Sequence, residues 1–77
     1  MFLKIQLKKS IRDCKKRIEM LERKRTRSQA ALVEAILTNS EPDNSDVDFF
    51  NMFTTQIDKE RERLHKLTQE LESLEEK

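Results

Sequence analysis

A chain of 77 residues has room for one small domain. Charged residues make up 40 %, aromatics only 5 %, glycine is absent and Pro42 is the single proline, which argues against sheets and tight hairpins and for long helices. One cysteine excludes an internal disulfide, and no apolar run approaches the roughly 18 residues of a membrane span. A soluble, intracellular protein, cytoplasmic or nuclear, is the expectation.

The net charge of +1 conceals an uneven distribution. Through residue 30 there are 11 Lys/Arg against 3 Asp/Glu, and from residue 31 onward 5 against 12. Halves of opposite sign attract if the chain folds back on itself.

The amino-terminal stretch MFLKIQLKK is ambiguous. Leu3, Ile5 and Leu7 alternate with polar residues as a strand does, and Ser10 with Asp13 could cap a helix that starts there. Leu7, however, opens a helical stripe that continues through Ile11, Cys14, Ile18 and Leu21, then Arg25 and Ser28, then Leu32 and Ala35. The spacing predicts helix one over about 3–38. The only cluster of helix breakers, NSEPDNS, predicts a turn over 39–45. Ser45 is the expected cap of helix two, with Asp48 near its positive end. Helix two is then expected over about 46–76. Its stripe of Phe50, Phe53, Ile57, Leu64, Leu67, Leu71 and Leu74 steps by threes and fours, with Glu60 filling the one apolar gap.

These elements predict an all-α fold: a two-helix antiparallel coiled-coil hairpin, spanning 1–77 as one unit. One alignment of the stripes sets Ile11 against Leu74, Cys14 against Leu71, Ile18 against Leu67, Leu21 against Leu64, Ser28 against Ile57, Leu32 against Phe53 and Ala35 against Phe50. The two interruptions, Arg25 and Glu60, then share a layer as a register-setting ion pair. Flanking charges fit the same alignment, with Lys8 near Glu75, Arg17 near Glu70 and Glu22 near Arg61. Lys24 near Arg63 is its one mismatch of sign.

One stripe per helix is a thin core for a chain this long. Apolar residues are also left over: Phe2, Leu3 and Ile5 beyond the expected reach of helix two, and Val33, Ile36, Leu37, Val47, Phe49 and Met52 near the turn. Uncovered clusters of this kind point to association. The expected partners are a second copy, giving a dimer or four-helix bundle, or a helix of another protein.

Nothing in the sequence suggests catalysis. Cys14 and His65 fall far apart, with Cys14 on the stripe as a small buried hydrophobe and His65 on the solvent side of helix two. No Cys/His spacing suits zinc and no glycine-rich loop could cradle a phosphate, so no catalytic, cofactor or metal residue is assigned. The outer face of helix one carries Lys9, Arg12, Lys16, Arg23 and Arg27, a strip that could neutralise phosphates. No aromatics interleave with it for base stacking, so nucleic acid is the less favoured partner. The basic runs KKR at 15–17 and RKR at 23–25 bear a weak likeness to a bipartite import signal. A membrane-surface role for the amino-terminal helix is disfavoured.

The functional expectation is a non-enzymatic interaction or oligomerisation module, acting as a scaffold, adaptor, small chaperone or assembly regulator. The alternative is a nucleic-acid-binding regulator. A third reading is that these residues are a segment of a longer polypeptide.

Overall fold

The computed structural model describes residues 2–76; Met1 and Lys77 lie outside the described residues. It is an antiparallel hairpin of two helices, α1 (Phe2–Leu37, 36 residues) and α2 (Asn44–Glu75, 32 residues), extending over 59 × 16 × 14 Å. The amino-terminal stretch is helical from Phe2, so the alternation of Leu3, Ile5 and Leu7 is overridden by the longer stripe to which Leu7 belongs.

The turn is built without glycine. Asn39 takes the left-handed conformation at φ 56°, which a short polar side chain tolerates better than most. Its N–H donates to the Ile36 carbonyl at 3.2 Å, and the Ser40 N–H donates to the Ala35 carbonyl at 2.8 Å. That pair of bonds is the Schellman closure, which satisfies carbonyls left over at the end of α1. Helix α2 is capped by Asp43, not by Ser45. Asp43 has extended backbone (φ −65°, ψ 132°) and its carboxylate accepts from the Ser45 N–H at 3.0 Å. Pro42 precedes it, so the cap falls where proline has already stopped any continuation of α1. Asp46 is the acidic residue of the first turn.

The two stripes face each other as their spacing requires. Leu7, Cys14, Ile18, Leu21, Ser28 and Ile57 are buried, with Cys14 and Ile57 wholly enclosed. Ile11, Leu32, Ala35, Phe50, Phe53, Leu64, Leu67, Leu71 and Leu74 are half-buried. The alignment of the stripes differs from the one expected. Glu60 lies against Cys14 and Arg17 rather than Arg25. Lys4, not Lys8, reaches Glu75 at 3.7 Å. Leu21 shares a groove with Gln56, Lys59 and Glu60. Together these displace the register by roughly one heptad, a shift that keeps the two stripes face to face while separating Glu60 from Arg25. The Glu22–Arg61 pair forms at 2.9 Å as expected, because a long arginine spans more than one turn.

The shift also changes what the amino-terminus does. With Glu75 beside Lys4, α2 reaches nearly to the start of α1. Phe2, Leu3 and Ile5 are therefore exposed by the direction they face on α1, not because α2 stops short of them. At the other end Ile36 and Leu37, which lie off the stripe of Leu32 and Ala35, are among the most exposed apolar residues, at 67 % and 78 %.

A double-mutant cycle reports the register directly. Arg17→Ala and Glu60→Ala are expected to couple by about 0.2–1 kcal/mol in urea denaturation. Arg25→Ala and Glu60→Ala are expected to add within error. Coupling of Arg25 with Glu60 and none with Arg17 would restore the alignment expected from apolar spacing.

Candidate interaction surfaces

The polar centre of the seam is assembled from three side chains. The Cys14 thiol donates to Glu60 Oε2 at 3.2 Å and is shared with the Glu60 carbonyl at 3.3 Å. Arg17 Nε donates to the same Oε2 at 3.4 Å. Burial pushes the Cys14 thiol above its ordinary value of 9.0, and the neighbouring Glu60 pushes in the same direction. The thiol hydrogen bond pulls Glu60 below its ordinary 4.5; burial opposes this, and the charge of Arg17 adds to the lowering. A protonated, enclosed thiol is a poor nucleophile, so this cluster fits a structural role. Arg25 is half-buried and takes no ion pair among the described residues. The expected charged layer is therefore divided. Glu60 is satisfied by one heptad of α1, and Arg25 lies in the next.

All nine residues expected to meet a partner are exposed: Phe2, Leu3, Ile5, Val33, Ile36, Leu37, Val47, Phe49 and Met52. Phe49 is not isolated, since its ring stacks on Phe53 with centroids 6.1 Å apart and an interplanar angle of 16°. Met20, 46 % exposed in mid-helix, falls outside the expected set. It lines the groove with Arg17, Leu21, Gln56, Lys59 and Glu60. Its position one residue before Leu21, off the stripe, was the available signal.

The surface of α1 has a shallow groove at each end. Ile5, Lys8, Lys9 and Arg12 line one. Thr26, Gln29, Ala30, Val33, Glu34 and Leu37 line the other. The five basic residues considered for nucleic acid, Lys9, Arg12, Lys16, Arg23 and Arg27, are all exposed. Arg23 lies 3.8 Å from Glu19 one turn away. Among the described residues no cluster of His, Cys, Asp or Glu is placed to hold a metal ion, and no helix is long and apolar enough to cross a membrane.

No family model, no curated protein and no solved structure matches this chain.

The two shifted groups set the pH dependence. Native Glu60 stays ionised at a pH where the unfolded chain has begun to take up a proton, so stability is lost as pH falls below about 4.5. Native Cys14 keeps its proton where the unfolded chain loses it, so stability is lost as pH rises above 9.0. Melting temperatures followed by circular dichroism across both limits are expected to show this against two variants. Cys14→Ala flattens the alkaline decline, and Glu60→Gln flattens the acid one. Variants whose profiles run parallel to the parent at both extremes would remove these groups as the cause.

Proposed function

We propose that this hairpin is a protein-interaction module that associates through apolar surface its own fold leaves open. The observation that carries the reading is the ratio of covered to uncovered apolar side chains. Among the described residues five hydrophobic side chains are buried, while ten large ones stand exposed, all but Met20 toward the two ends of the rod. A folded monomer rarely leaves such clusters of large apolar side chains exposed without a partner, and a helix laid along them covers them at little cost in backbone ordering. Scaffolding or assembly control suits an elongated rod with apolar surface toward its ends better than chemistry does.

Sedimentation from about 1 to 100 μM is the test, since associations of this kind fall in the micromolar range. The parent chain is expected to associate with rising concentration. Leu37→Ser with Phe49→Ser is expected to weaken that association by about tenfold or more, equivalent to about 1.4 kcal/mol per decade. A fully helical monomer at every concentration would overturn the reading.

A second reading rests on the basic face of α1. Lys9, Arg12, Lys16 and Arg27 are exposed and take no ion pair among the described residues, so their charge is available to phosphates. A salt titration of DNA and RNA binding separates it from the first. Its signature is binding that persists near 150 mM salt and weakens on Arg12→Ala with Lys16→Ala. The salt slope would then become shallower by about 0.9 for each phosphate no longer neutralised on duplex DNA. No binding at low salt would end it.

A further inference from the structure

The two open apolar ends carry opposite charge. Between Ser28 and Ile57, Glu34, Glu41, Asp43, Asp46 and Asp48 meet no Lys or Arg at all. The turn end of the rod is therefore purely acidic, and Val33 and Leu37 lie within that acidic field, in the groove that also holds Glu34. At the other end the first 17 residues hold seven Lys/Arg against one acid, Asp13. Helix α2 brings Glu70, Glu72, Glu75 and Glu76 to that end, and Glu75 is engaged by Lys4. The groove of Ile5, Lys8, Lys9 and Arg12 belongs to α1 alone, and none of its three cations takes an ion pair among the described residues.

Both grooves lie along one strip of α1. Ile5, Arg12, Glu19, Thr26 and Val33 recur at seven-residue intervals, so the apolar residue near each end occupies the same heptad position. Each groove is what the other lacks: Ile5 among three cations at one end, and Val33 and Leu37 beside Glu34, with no cation, at the other. Turn-to-turn pairing would bring five carboxylates of each copy together, and pairing of the two amino-terminal grooves of α1 would bring Lys8, Lys9 and Arg12 of each copy together.

We propose that the occupant of each groove is a second copy of this chain, with the acidic turn end of one hairpin seated on the basic amino-terminal groove of α1 in the other. Because the two grooves share a strip of α1, two copies side by side and antiparallel make both contacts at once and close as a two-fold dimer. Charge selects the orientation and apolar side chains supply the area. This rests on the interaction-module reading and adds the partner and the polarity to it.

Charge-swapped variants test it. Variant one carries Glu34→Lys, Glu41→Lys and Asp48→Lys; variant two carries Lys8→Glu, Lys9→Glu and Arg12→Glu. All six positions are exposed, and circular dichroism verifies that each variant remains helical. Sedimentation near 0.1 M salt is expected to show each variant alone monomeric where the parent associates, and an equimolar mixture of the two associating as a heterodimer. Added salt should weaken the parent's association. If variant two alone associates as the parent does, the amino-terminal groove is not the docking site, and turn-to-turn or foreign-helix docking takes its place. If the parent itself is a helical monomer throughout, the interaction-module reading falls first. If the parent associates and both variants do so equally, only the head-to-tail pairing falls.

Discussion

Two helices can bury only the stripe each turns toward the other, and every other feature of this hairpin follows from that limit. Each residue on the seam has neighbours from one partner helix and solvent on the flanks. Most seam leucines and phenylalanines are therefore half-buried, and full enclosure is reached only at Cys14 and Ile57. These are a small side chain and a compact β-branched one, and they occupy the middle of the rod. The fully apolar layers of a larger bundle are not available here, so the centre can accommodate Glu60 with its hydrogen bonds to a thiol and a guanidinium.

Glu60 carries the specificity of the seam more than its energy. Arg17 is 41 % exposed, so its attraction to Glu60 is screened by water and adds little to stability. What the pair contributes is discrimination. A seven-residue slip would move Glu60 away from Cys14 and Arg17, toward a layer in which different residues must satisfy it. The flanking pairs Lys4–Glu75 and Glu22–Arg61 act in the same sense along the length of the rod. The seam is uncharged except where Glu60 and half-buried Arg25 interrupt it, one on each helix.

The same geometric limit explains why apolar surface collects at the ends. In mid-rod the outer faces are charged and well solvated, with local pairs such as Glu19–Arg23 and Glu62–Lys66. Toward the turn the sequence becomes apolar on more than one face, through Val33, Ile36, Leu37, Phe49 and Met52, and a hairpin has no third element to cover them. The charged residues around that end are acidic, with no Lys or Arg between Ser28 and Ile57, whereas those among the first 17 residues are mostly basic.

The sequence by itself determined the helical class, the two-element hairpin, the face each helix turns inward and, Met20 excepted, the apolar residues left outside. Period and composition encode all of these locally. It also located the turn, although the cap moved from Ser45 to Asp43, since either side chain can accept at a helix start and the backbone path after Pro42 decides between them. Only the tertiary structure decided the register. A heptad repeat maps onto itself when shifted by seven residues, so apolar spacing is satisfied equally by neighbouring alignments, and the match of Arg25 to Glu60 was one of them. The arrangement adopted is settled by interactions that periodicity does not contain: a thiol that can donate to Glu60, the length of the Schellman turn at Asn39, and the reach of Lys4 to the end of α2.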